Sequence, residues 1–174
     1  MKKLFFTQPN PKQDLFLRAK CKHVGFGGAR GGGKSWAVQV KSILLCLRFS
    51  GYKALIVRKT YPELQNNHID KMRTILHGIA RYNKTEKIFR FPNGSSINFG
   101  YCACDSDVEQ YQGAEYDAIF IDEATQLDEA WIRKITACLR GVNDYPKRIY
   151  YTCNPGGRSH GYFKRLFIDR KFEA

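Results

Sequence analysis

Short, almost wholly apolar runs alternate along the chain with longer stretches in which apolar residues return every three or four positions. The first pattern predicts strands and the second helices, and their alternation predicts an α/β layering around a mostly parallel sheet. A first strand is expected over 23–27. It leads through a glycine-rich turn into a helix over 34–49. On that helix Val38, Ser42, Leu45 and Phe49 share one face, widened by Val40, Ile43, Leu44 and Leu47. The run 54–57 is apolar throughout, as a strand covered on both faces requires. Thr60 and Glu63 have the spacing of a capping box, with Pro62 in the first turn, so a second helix is expected to begin there.

The pattern then changes. Segments 87–91 and 96–101 flank Pro92-Asn93-Gly94-Ser95, and Asn-Gly between apolar runs predicts a hairpin. An antiparallel edge hairpin joined to the parallel sheet is the simplest reading. Asp105 opens a short helix ending near Gly113, and a strand follows over 116–122. Asp128 caps a helix reaching about Leu139, and another strand covers 148–152. Gly156-Gly157 forms a loop before a last helix over 162–168. No internal repeat or low-complexity linker interrupts this order.

Composition narrows the class. A chain of 174 residues, 43% hydrophobic and 26% charged, suits one globular domain rather than a disordered segment. Lys and Arg number 29 against 16 Asp and Glu, a formal charge of +13 that favours polyanionic partners. The apolar run Leu4-Phe5-Phe6 is too short for a secretory signal, and no run is long enough to span a membrane, so a soluble intracellular protein is expected. The six cysteines are scattered without a CxxC pair. Cys46 and Cys138 fall in apolar helical patterns and read as buried thiols. Cys102 and Cys104 lack the four ligands that structural zinc takes.

One segment carries specific chemistry. Gly28-Ala29-Arg30-Gly31-Gly32-Gly33-Lys34-Ser35 fits the phosphate-loop pattern G-x-x-x-x-G-K-[ST] in full, between a predicted strand and a predicted helix. Glycines let successive backbone N–H groups turn inward around phosphates, and the helix N-terminus adds unpaired N–H groups and partial positive charge. Lys34 is expected to reach the β- and γ-phosphates, and Ser35 to ligate Mg²⁺. The partner half of such a site is an acid ending an apolar strand, supplied by Ala118-Ile119-Phe120-Ile121-Asp122-Glu123. Asp122 is placed to hold Mg²⁺, the Walker-B role. Glu123 is placed to activate a water for attack on the γ-phosphate as general base. A GTPase would carry Asn-Lys-x-Asp after this segment. The nearest match, Asn83-Lys84-Thr85-Glu86, ends in Glu and precedes it, so ATP is the expected nucleotide.

With both segments in hand, the chain resembles the large-terminase ATPase family of tailed double-stranded DNA phages. The resemblance extends to Arg58-Lys59-Thr60 after the second strand, Tyr111-Gln112-Gly113 before the Walker-B strand, and Asp122-Glu123-Ala124 after it. Thr152-Cys153-Asn154-Pro155 matches the family's Thr-x-Asn-Pro coupling segment. It implies a P-loop NTPase of the additional-strand, catalytic-glutamate (ASCE) type, with Thr152 and Asn154 sensing the γ-phosphate or its attacking water. Gln13 resembles the adenine-reading glutamine of the Q motif, with Gln8 as the alternative. Arg30 is the first candidate for an arginine finger. Some relatives carry a finger where this chain has Gln112, and Arg58 ranks third.

The resemblance further implies a motor that assembles as a homo-oligomeric ring and drives double-stranded DNA into a procapsid. Its partners would be the portal protein and the small terminase subunit, in the cytoplasm of an infected bacterium. The family's C-terminal nuclease is expected to be absent, leaving an ATPase domain over 1–174, truncated at its C-terminal end and able to stand alone as a monomer. Two other readings remain open: a fragment of a superfamily-2-like helicase, because Asp122-Glu123-Ala124-Thr125 is close to DEAD/DEAH, and a nucleotide-gated DNA-binding module without turnover.

Overall fold

The computed structural model describes residues 3–171. Seven strands form one sheet: β1 (His23–Gly27), β2 (Lys53–Arg58), β3 (Arg81–Asn83), β4 (Ile88–Arg90), β5 (Ser96–Tyr101), β6 (Ala118–Ile121) and β7 (Arg148–Cys153). Their spatial order is β1-β7-β6-β2-β5-β4-β3. The first five in that order run parallel, and β5, β4 and β3 pair antiparallel at the far edge. β7 therefore lies between the strand that enters the glycine loop and the strand that leads into Asp122. This is the additional strand that the resemblance implied.

Helices cover both faces. Along β2 and β6, successive residues alternate between two cores, as the period of two in a strand demands. Ala54, Ile56 and Phe120 join one core with Phe26, Val38 and Tyr150, beneath α2 (Lys34–Arg48). The same core takes Leu64, Ile69 and Met72 from α3 (Tyr61–Leu64), a π-helical turn (Gln65–Ile69) and α4 (Asp70–Ile75), which run on from one another. Leu55, Ile119 and Ile121 face the second core with Val108 of α5 (Asp105–Val108), Trp131 of α6 (Glu129–Thr136) and Phe163 of α7 (His160–Phe163). The Phe120 and Tyr150 rings stack 4.6 Å apart across β6 and β7. α1 (Pro11–Arg18) packs on α2 and is fixed by a capping box between Asn10 and Gln13.

Three expectations, on the stripe of α2, the Thr60 cap and the end of α6, need correction. Leu44 and Leu47 are 41% and 44% exposed, because the buried stripe of α2 runs instead through Ala37, Val38, Val40, Ile43 and Cys46. The helix after β2 begins after Thr60, but the Thr60 side chain caps nothing. α6 stops at Thr136 rather than Leu139. Cys102 is buried and Cys104 exposed, and among the described residues no cluster of three or more His, Cys, Asp or Glu is arranged to hold a metal. No helix among them is long and apolar enough to cross a membrane.

Lys41 on α2 yields a pH test. It is buried, and its Nζ donates to the Leu17 carbonyl at 2.6 Å. Burial first, then the charges of Arg148, Arg48 and Lys20, push its ammonium from 10.5 down to about 8. Below pH 8 the group is charged in both folded and unfolded chains, and the cost of burying it is fully present. Between 8 and 10.5 the folded chain sheds the proton while the unfolded chain keeps it, so stability rises with pH. Urea midpoints across that window should rise less in Lys41→Met than in the unsubstituted chain; equal slopes would refute the assignment.

Candidate functional site

The parallel register brings four strand ends together. Gly27 pairs with Cys153, and Ile121 lies between Val57 and Tyr151. The glycine loop, Arg58, Asp122, Glu123 and the Thr152–Asn154 segment therefore converge at the carboxyl end of the sheet, where open α/β sheets bind ligands.

In the loop, Gly28, Gly31 and Gly33 have φ of 140°, 81° and 69°, a region that side chains disfavour. Gly33 serves as the N-cap of α2 without a side chain, so the first N–H groups of that helix stay available. Lys34 arches back over the loop, its Nζ donating to the Gly28 and Ala29 carbonyls at 3.0 and 2.7 Å. Gln13 sits against the loop's end: Nε2 donates to Gly33 O at 3.1 Å, while Oε1 accepts from Asn10 N at 2.8 Å. Arg30 is exposed at the loop tip and has no hydrogen-bond or ion-pair partner among the described residues. Gln112 is also exposed.

The acids are tightly held. Asp122 Oδ2 accepts from Ser35 Oγ at 2.9 Å and from His68 Nε2 at 2.7 Å, and Oδ1 accepts from Thr152 Oγ1. Arg58, buried, lies between both acids: its Nε is 3.4 Å from Asp122 Oδ2 and its Nη2 is 2.9 Å from Glu123 Oε1. Burial pushes the Asp122 carboxyl up. The His68 hydrogen bond, the Arg58 guanidinium and the Thr152 hydroxyl outweigh it and hold the group well below the usual carboxylate range. Asp122 is thus an anion ready for a cation.

Glu123 adopts a left-handed backbone, φ 52°, which costs a non-glycine residue energy and is tolerated only where the surroundings enforce it. Here its N–H donates to Thr152 Oγ1 at 2.9 Å. Gln126 Nε2 donates to its Oε2 at 2.7 Å, and Asn154 Nδ2 lies 3.4 Å from its Oε1. Asn154 Oδ1 is buried with no partner among the described residues.

Sequence reasoning singled out the loop, Asp122, Glu123, Thr152 and Asn154, and the structure brings all of them together. It passed over His68 and Gln126, and it ranked Arg58 only third among the arginine-finger positions, after Arg30 and the position of Gln112. No spacing rule marks His68, which is 54 residues from its partner.

With this geometry in view, comparison with known proteins places the chain. It has the fold of a large terminase from a thermophilic bacteriophage, at TM-score 0.78 and 18% identity over 94% of this chain and 43% of that one. The same terminase determined in complex with ADP aligns at TM-score 0.74 and 19% identity, over 92% and 42%. The ATPase domain of the Thermus phage P74-26 large terminase aligns at 0.68 and 17%, over 95% and 73%. The chain thus spans less than half the length of the first two structures. Comparison with curated proteins finds no match. The family model for the phage terminase large subunit matches residues 20–174, and the chain belongs to that family.

Proposed function

We propose that this chain is the ATP-hydrolysing motor of a DNA-packaging terminase. The observation that carries the reading is the contact of Ser35 Oγ with Asp122 Oδ2 at 2.9 Å, with Glu123 beside it and the glycine loop in front. A hydroxyl and a low-pKa carboxylate are hard oxygen donors that suit Mg²⁺. They are too few to hold it alone, so a cation here would need phosphate oxygens and water. Mg²⁺ between Ser35, Asp122 and the nucleotide would neutralise charge on the transferred phosphoryl group. The ADP complex of the thermophilic-phage terminase supports the nucleotide assignment.

The chain's own residues divide the remaining work. Lys34 exchanges two loop carbonyls for the β- and γ-phosphates. Glu123, its carboxylate oriented by Gln126 and Arg58, takes a proton from the attacking water. The unpartnered Asn154 Oδ1 is the acceptor that orients that water. Arg30, on the loop tip, is free to reach the γ-phosphate as a finger in cis, and Gln13, hydrogen-bonded to Gly33 O at the loop's end, is the residue that would contact the adenine. Thr152 contacts both acids, so it registers a change at either. Asn154 and Pro155 line a cavity of about 310 Å³ together with Gly28, Phe163 and Phe167.

Beyond hydrolysis, the reading includes translocation of double-stranded DNA into a procapsid within a homo-oligomeric ring on the portal. The small terminase subunit would deliver the DNA, in the host cytoplasm, and the net charge of +13 suits contact with phosphate backbone rather than base reading. Steady-state ATP hydrolysis with Mg²⁺, with and without duplex DNA, tests it. A protein that melts cooperatively yet binds no nucleotide would refute the whole reading.

A further inference from the structure

His68 is fully buried, in the π-helical turn between α3 and α4. Such turns are rare and lie frequently at functional sites. One ring nitrogen, Nε2, is 2.7 Å from Asp122 Oδ2, and the other, Nδ1, is 3.1 Å from Gln39 Nε2. That amide nitrogen is also 2.7 Å from the Asn67 carbonyl. A carbonyl only accepts, so the atom facing it must be the NH₂ and not the amide oxygen. An NH₂ has two protons and no free acceptor site; one goes to Asn67 O and the other to Nδ1. Nδ1 therefore accepts, and the ring proton sits on Nε2, aimed at Asp122.

We propose that His68 is a positioning residue for the magnesium site, holding Asp122 Oδ2 where a nucleotide-bound cation meets both Asp122 and Ser35. The inference rests on the Mg²⁺ reading of that pair. When the Ser35 hydroxyl turns to a cation, it leaves Oδ2, and Nε2–H of His68 is the close hydrogen bond that remains on that oxygen. Gln39 belongs to α2, the helix that also carries Lys34 and Ser35. One helix thus presents the phosphate lysine, the metal serine and the amide that fixes the histidine. A merely space-filling role would need neither of the two hydrogen bonds.

The test uses Mn²⁺ in place of Mg²⁺ and reads free Mn²⁺ by electron paramagnetic resonance in the presence of ADP. ADP affinity without metal and thermal melts run in parallel. In His68→Leu, Mn²⁺ affinity of the ADP complex should fall roughly tenfold to a hundredfold, the scale for losing a group that orients a metal ligand, with metal-free ADP affinity unchanged. His68→Gln, whose amide reaches the same place, should restore most of the loss, and Gln39→Leu should show part of it. Equal Mn²⁺ affinity in folded His68→Leu overturns the proposal, as does equal weakening in the Leu and Gln variants. If His68→Leu does not fold, full Mn²⁺ affinity in Gln39→Leu together with loss in His68→Gln overturns it. An unsubstituted chain that binds ADP but no Mn²⁺ overturns the magnesium reading itself, and this inference with it.

Discussion

Glu123→Gln should bind ATP as the unsubstituted chain does and hydrolyse it about 100-fold slower or worse, the scale of a lost general base. The substitution keeps the side chain's size and its Oε1, so contact with Arg58 and the fold should survive. It removes the negative charge that draws a proton from water. The residue-123 N–H donates to the Thr152 hydroxyl whichever side chain follows, so the left-handed backbone should keep that anchor in the variant. Binding measured by a fluorescent nucleotide and turnover measured by phosphate release separate the two effects. Turnover within a few fold of normal would remove Glu123 from the chemistry and point to another base.

Arg30→Ala should bind ATP but lose about 1,000-fold in turnover at every protein concentration, the effect of deleting a finger that stabilises transition-state charge. Arg58→Ala should behave differently. Arg58 is committed to Asp122 and Glu123, so its loss leaves two neighbouring carboxylates facing each other without their shared cation. It should weaken thermal stability together with turnover, whereas Arg30, exposed and without a partner among the described residues, should leave the melt unchanged. Activity of the unsubstituted chain that climbs steeply with concentration, together with an active Arg30→Ala, would place the finger on a neighbouring subunit.

How much of this the sequence disclosed follows from physical cause. Parallel strands buried on both faces read as apolar runs, so β2, β6 and β7 were legible almost to their ends. β3 was not, because Arg81-Tyr82-Asn83 is a half-exposed edge strand with one apolar residue in three. The glycine loop and the Asp122-Glu123 pair were legible because their function needs contiguous residues. His68 was not, since its role depends on a π-helical turn that breaks the 3.6-residue period by which a buried face is read. The side of Arg58 that matters also emerges only once β2 and β6 lie together. The bond of Lys34 to its own loop leaves no mark in the pattern at all.

The order of the sheet gives the two halves of the site unequal stiffness. β6, which leads into both acids, is bonded on either side by β2 and β7, whereas β1, which leads into the glycine loop, is bonded among the described residues only by β7. The acids therefore ride on a plank clamped along both edges, and the loop rides on one hinged along a single edge. If phosphates draw the two together, as the proposed function requires, the compliant side should be β1, paired only with β7 among the described residues. Thr152 and Asn154 stand at the end of that hinge line, where a small rotation of the loop against the acids is felt as a shear.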